Sequence, residues 1–265
     1  MDWSKIKTIF ILTFLLLDIY LVFQFMNTRN SAKYEFIKEA PLEEKLKNDE
    51  ITYEELPKVI PKERYVSVKP KVFTEDDIKG PTGSPSILAN GTILRVELDK
   101  PVKLSSKFDE SEFNSSFVKD EVPYGDQYRF WEINEKDKQI TYFQYYRNKV
   151  LYKNANGQIT FYLNDKNELV YYEQTYLEVV EELSEKQEVL PPLRAIETLF
   201  NKDLLKPKSE ITHIELGYST LVQITGSQVL APTWRFVING EKSLFVNAFE
   251  GHVIPLDDEE KQVTE

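Results

Sequence analysis

A few short constellations in this chain carry residue types that do chemistry elsewhere. Ser4-Lys-Ile-Lys7 matches Ser-x-x-Lys, a pairing in which an amine lowers the barrier to acyl transfer by a serine hydroxyl. It sits at the head of a long apolar run and reads as a chance match. Asp165-Lys-Asn167 matches the start of a calcium loop, but the glycine and the terminal glutamate that such a loop needs are misplaced, so a hairpin turn is the better reading. The two histidines, His213 and His252, fall in expected strands or turns with no catalytic pattern beside them, and two are too few for a multi-histidine metal site. Asp and Glu are plentiful, yet nothing singles out a pair for glycosidase-type acid–base work. Gly-x-Ser-x-Gly, P-loop and Gly-x-Gly-x-x-Gly patterns are absent. With no cysteine there is no disulfide, no thiol nucleophile and no Cys-ligated zinc. The sequence therefore predicts no catalytic residues, no cofactor-binding residues and no metal ligands. Tyr142, Tyr145 and Tyr146 read as core and cross-strand pairs rather than as a contact surface.

The residue that stands out is Asp18, a carboxylate inside an apolar run. Ile6 to Phe25 is dominated by Ile, Leu, Phe and Val. Twenty helical residues span about 30 Å, the thickness of a bilayer's hydrocarbon core. Trp3 and Tyr20 suit its two interfaces. The exit, Phe-Gln-Phe-Met-Asn-Thr-Arg-Asn, lacks the small-x-small pattern of a signal-peptidase site, so the segment reads as a retained anchor. Lys5 and Lys7 precede the run, and Arg29 and Lys33 follow it. The free α-amino group tips this even count toward a cytoplasmic N-terminus and an extracellular remainder. Lys7, Ile11, Phe14, Asp18, Leu21 and Phe25 follow alternating 4-and-3 spacing, so they form one helix stripe. A carboxylate near a helix centre costs about 2.5–3.5 kcal/mol on insertion scales. The stripe from Ile11 through Phe14, Asp18 and Leu21 to Phe25 is thus a candidate transmembrane contact, with Asp18 bonding across it. The alternative is an Asp18 that bonds its own backbone or reaches water.

Charge and composition frame the rest. The net charge of −11 belongs to residues 27–265, because Lys5 and Lys7 cancel Asp2 and Asp18. That excludes nucleic acid as a partner, since phosphate affinity comes from Lys and Arg. At 41% hydrophobic and 13% aromatic the chain is built to fold. Four regions are expected: a tip and anchor over 1–26, a juxtamembrane stalk over 27–62, and α+β subdomains over 63–178 and 179–265. Glu35 to Asn48 suggests a helix broken at Pro41. Gly80-Pro-Thr-Gly-Ser-Pro85 reads as a loop. Strands are expected at Thr92–Leu98, Gln127–Asn134, Gln139–Arg147, Gln158–Leu163 and Glu168–Tyr176, with a helix carrying Phe108, Phe113 and Phe117 over Lys107–Lys119. A boundary falls near 177–188. A second helix, Leu190–Leu205, opens on Pro191 and Pro192. Strands Thr212–Ile224, Thr233–Ile238, Leu244–Phe249 and His252–Pro255 follow, with Asn239-Gly240 as a two-residue hairpin turn. The fold class is α+β: an N-terminal transmembrane helix, then two subdomains, each an antiparallel sheet plus a helix.

Several segments in register carry a family resemblance. Met1-Asp-Trp-Ser-Lys-Ile-Lys-Thr-Ile-Phe-Ile11 and the rest of the apolar run, with its Asp18, resemble the opening of the YycI (WalI) proteins. Pro192-Leu-Arg-Ala-Ile-Glu-Thr-Leu-Phe200, Leu216-Gly-Tyr-Ser219 and Ala231-Pro-Thr-Trp234-Arg-Phe236 continue the likeness. The closing Pro232-x-Trp234 … Phe245-Val-Asn-Ala-x-x-Gly251 is also similar to the end of PepSY-like and YycH-like modules. The resemblance implies a non-enzymatic regulator of the WalK–WalR (YycG–YycF) two-component system of low-GC Gram-positive bacteria, which controls cell-wall metabolism. Its implied partners are a WalK-type sensor histidine kinase, a YycH-type companion and the membrane, reached partly through transmembrane helices. The resemblance implies no catalytic residues and does not fix the sign of the effect on the kinase. Two rival readings are an extracytoplasmic ligand-binding or sensing module and a cell-wall hydrolase. The first needs a defined pocket. The second needs a convergent carboxylate pair.

Overall fold

The computed structural model describes residues 3–34, 41–57, 59–78, 83–105 and 108–256. Contacts divide the chain into two units, Met1–Asn48 and Asp49–Glu265. In the first, helix α1 runs Trp3–Tyr34 and helix α2 runs Leu42–Asn48, starting directly after Pro41. The part of the expected stalk helix at 35–40 lies outside the described residues.

The second unit contains two sheets, antiparallel throughout except where the short β1 (Thr52–Tyr53) pairs in parallel with β11 (Glu210–Ile224). Each forms because alternating apolar residues bury one face. The first takes β3 (Ser84–Leu88), β4 (Ile93–Lys103), β5 (Tyr128–Asn134), β6 (Gln139–Tyr146), β7 (Lys149–Val150), β8 (Gln158–Leu163) and β9 (Glu168–Gln174), in the order β3-β4-β9-β8-β6-β5 with β7 on β6. One helix, α3, covers its inner face. It is built from Glu110–Phe113, a π-helical Asn114–Val118 and Lys119–Glu121. Asp109 caps it by accepting the Glu112 N–H at 3.0 Å. Phe113 and Phe117 stack 5.5 Å apart and meet Phe161 edge-on. Leu94, Val96, Ile140, Tyr142, Ile159, Phe161 and Tyr172 complete this core from the sheet.

The second sheet takes β1 (Thr52–Tyr53), β2 (Lys62–Pro70), β10 (Leu177–Glu188), β11 (Glu210–Ile224), β12 (Ser227–Ile238), β13 (Lys242–Asn247) and β14 (Val253–Ile254). Helix α4, Pro192–Asn201, buries Ala195, Ile196 and Leu199. β12 pairs with β11 along one side. Its other side is shared by β2, at Gln228–Leu230, and β13, at Thr233–Ile238. Leu230–Trp234 are all buried, so side chains of both faces are covered there. The β12–β13 turn places Asn239 and Gly240 at φ 54° and 75°, the left-handed pair that a two-residue hairpin needs.

Three local expectations are corrected. Residues 177–188, expected as a boundary, form a strand paired with β2. Its acidic run is matched across the ladder by Lys62–Glu188, Arg64–Glu182 and Lys69–Glu178 at 3.6, 2.6 and 3.5 Å. A strand begins at Ser84, inside the expected loop. Pro85 is tolerated there because β3 is an edge strand paired only with β4. Gly83 admits no side chain, since a Cβ would meet the Glu97 carbonyl oxygen at 2.2 Å. The helix expected to reach Leu205 stops at Asn201, where Asp203 turns left-handed (φ 56°) and the Leu204 N–H reaches back to the Leu199 carbonyl at 3.1 Å.

Candidate interaction surfaces

Within the first unit, α1 presents its apolar side chains bare. From Phe10 to Val22 they run from 48% exposed at Leu17 to 68% at Ile11. Phe14 is 52% exposed and Leu21 53%, and Asp18 is exposed beside them. At about 100° per residue, Lys7, Ile11, Phe14, Asp18 and Leu21 share one face of this helix. The Phe25 side chain lies outside the described residues, as does that of Ser4 in the Ser-x-x-Lys match. Lys7 places its Nζ 5.6 Å from the Trp3 ring, and the Phe10 and Phe14 rings lie 5.2 Å apart. No helix among the described residues is long and apolar enough to cross a membrane. The expected span Ile6–Phe25 includes Ile9 and Phe23–Phe25, whose side chains are not described.

In the second unit, the chemistry-bearing residues do not converge. His213 faces Glu54 at 3.8 Å and His252 faces Glu250 at 3.2 Å, all four half-exposed. Among the described residues no His, Asp or Glu group has metal-holding geometry. Asn164–Asn167 is a hairpin turn in which Asn164 Oδ1 accepts the Lys166 and Glu168 N–H groups at 2.9 and 3.0 Å. Tyr142 is core at 0% exposed. The Tyr145 hydroxyl donates to the Asp126 carbonyl, and that of Tyr146 to Glu182 Oε1.

Three clusters escaped the sequence reading because their members lie far apart in the chain. In the first, the Asp77 carboxylate accepts from the Tyr124 hydroxyl (2.7 Å) and the Thr74 N–H and hydroxyl (2.8 and 2.9 Å), with Lys71 Nζ at 3.3 Å. Burial works to raise the Asp77 pKa, but these donors outweigh it and hold it at about 2. Burial likewise works to lower the Lys71 pKa, and the Asp77 contact with the surrounding negative groups overrides it upward. The hydrogen bond to Asp77 and then burial push Tyr124 up. A nucleophilic lysine or a basic tyrosinate needs the opposite shifts. This triad is a structural tie.

The other two clusters join the sheets. Arg129 Nη1 and Arg235 Nη1 share Glu215 at 3.2 and 3.7 Å, and Arg235 stacks 4.0 Å over Trp131. Burial lowers the Arg235 pKa. Gly217 lets Tyr152 approach, since a Cβ there would meet its ring at 2.4 Å. Across the junction, Arg64 and Arg147 share Glu182, while Glu63 takes Lys149 and the Tyr218 hydroxyl, each at 2.9 Å.

A model of the YycI protein family matches residues 32–249. The chain belongs to the YycI family. YycI proteins are regulators of the WalK two-component system and not an enzyme family. No curated protein matches the sequence. Among solved structures, an uncharacterized protein from Eubacterium rectale is similar over 78% of this YycI chain and 91% of its own, at 10% identity and a TM-score of 0.46. The Bacillus megaterium YpeB C-terminal domain is similar over 70% and 86%, at 11% identity and a TM-score of 0.40.

Proposed function

We propose that this chain is a non-enzymatic, single-pass membrane regulator that modulates a WalK-type sensor histidine kinase together with a YycH-type companion. In this reading α1 lies in the bilayer with its N-terminus in the cytoplasm. Residues 27–265 stand outside the cell, and contacts through the helix and the extracellular part affect cell-wall metabolism. The observation that carries the reading is the helix whose large apolar side chains from Phe10 to Val22, on every face, are about half exposed or more. A helix apolar all round is stable only in apolar surroundings. A lone helix cannot form a channel, but it can pack laterally against a kinase's helices and favour one of two arrangements. A differential contact of about 1–3 kcal/mol shifts such an equilibrium roughly 5- to 150-fold.

Asp18 is the proposed point of contact within the stripe, because a carboxylate in lipid gains by bonding a neighbouring helix. Kinase output in cells carrying Asp18→Leu tests this, with the protein's abundance followed in parallel. The reading expects altered output at equal abundance. Unchanged output removes Asp18 from the mechanism.

A further inference from the structure

Where the two sheets of the second unit meet, a cavity of about 260 Å³ remains open between them. Protein interiors pack as densely as organic crystals, and voids larger than a water molecule are few in any domain. This void is walled by aliphatic side chains at most 2% exposed: Val66, Val68, Leu177 and Leu230 from one sheet, and Leu151, which follows β7 and bridges to Tyr218 of β11. Its mouth is framed by Gln127 and by Val179, which is 42% exposed on β10.

The polar groups around it are almost all engaged with the protein. The Gln144 side-chain amide closes on the Leu177 backbone, donating to its carbonyl at 2.9 Å and accepting its N–H at 2.8 Å. The hydroxyls of Tyr145 and Tyr146 are spent on Asp126 and Glu182. The Tyr176 hydroxyl donates to Gln127 Oε1 at 2.6 Å. The Gln127 Nε2 group has no hydrogen-bond partner among the described residues. No charged side chain lines the space. A cavity with an apolar wall and one donor at its rim that the protein leaves unengaged has a defined complement. Apolar cavities of this order stay dry and take up small apolar guests, and ligand sites favour junctions between packed layers.

We infer that this cavity binds a small uncharged apolar molecule carrying one hydrogen-bond acceptor. Its apolar body lies against the Val66–Leu230 wall and its acceptor meets Gln127 Nε2. The inference does not rest on the kinase reading, since binding is measured without a kinase present.

The test uses the full chain in lipid nanodiscs, with the Val and Leu methyl groups followed by NMR. The probes are benzene and acetophenone, which share a ring and differ in a carbonyl acceptor. The expected result is saturable shifts confined to Val66, Val68, Leu151, Leu177 and Leu230. Val179→Trp, which plugs the mouth, weakens both probes about tenfold or more while signals elsewhere stay in place. Val179→Met serves as a second plug if the tryptophan disturbs strand pairing. Gln127→Leu weakens acetophenone about three- to tenfold relative to benzene. Non-saturating shifts spread over surface methyls such as Val222 and Ile224 would overturn the proposal, as would shifts that survive both plugs. Equal loss of the two probes in Gln127→Leu overturns the acceptor contact.

Discussion

Helix α1 and the two-sheet unit are built from the same kinds of apolar residue and treat them in opposite ways. In the two-sheet unit, Leu94, Val96, Ile140, Phe161, Ile196 and Phe236 are all at 0% exposure. In α1, Ile11, Leu16 and Ile19 are 68, 60 and 58% exposed. Each buried aliphatic or aromatic side chain adds about 1.5–3 kcal/mol to its own fold. Those of α1 add little to this chain's fold, which is why the proposed function assigns them to lipid and to another protein's helix. The polar residues mirror the contrast. Asp77, at 8% side-chain exposure, is surrounded by donors from its own unit, whereas Asp18 stands exposed among bare apolar neighbours.

Substitution separates the two regions most sharply at their apolar residues. Phe161→Ala removes a ring that meets Phe113, Phe117, Tyr142 and Tyr172, and is expected to destabilise the two-sheet unit by about 3–5 kcal/mol in urea unfolding. Leu16→Ala in α1 is expected to shift the same transition by less than about 0.5 kcal/mol. Comparable losses from the two substitutions would erase the distinction. Next in size is Gly217→Ala, whose Cβ would meet the Tyr152 ring at 2.4 Å and the Val150 carbonyl oxygen at 2.5 Å. Overpacking of this kind costs about 1–3 kcal/mol, read as a fall in thermal midpoint.

The smallest loss expected within the two-sheet unit sharpens the Asp77 half of the contrast. Its carboxyl titrates at about 2 in the folded unit, against an ordinary value of 3.8. A depressed carboxylate contributes stability that is complete above the ordinary value and disappears as pH falls through 3.8 toward 2. Asp77→Asn is therefore expected to lower stability at pH 7 by about 1–2 kcal/mol and to flatten the decline of stability over that acid window. An unchanged acid limb in the variant would show that other carboxylates set it.

How much of this was legible in the sequence depended on whether the cause was local. Gln158–Leu163 was expected residue for residue, because its alternation lies between two turns. Asn239-Gly240 and the prolines opening α4 were equally plain, since each acts on its own backbone. Residues 177–188 were not, because LEVVEELSEKQE reads as a charged boundary until β2 lies beside it and supplies the cations. The Asp77 tie was hidden for a related reason. Tyr124 is 47 residues from its carboxylate, and no spacing rule reaches that far. Glu215 and Arg235 face each other across the β11–β12 ladder, and Arg129 reaches them only when the sheets close on one another. On α1 the spacing of the stripe is legible because helical periodicity is local, whereas any partner for it is not written in this chain.

The most direct measurement of the central claim is co-purification of the WalK-type kinase from membranes with the full chain and with a chain lacking residues 1–26, each at matched abundance. The account predicts that the full chain sediments with the membrane and brings the kinase with it, while the shortened chain is released and retains little. Equal recovery of the kinase with both would contradict it.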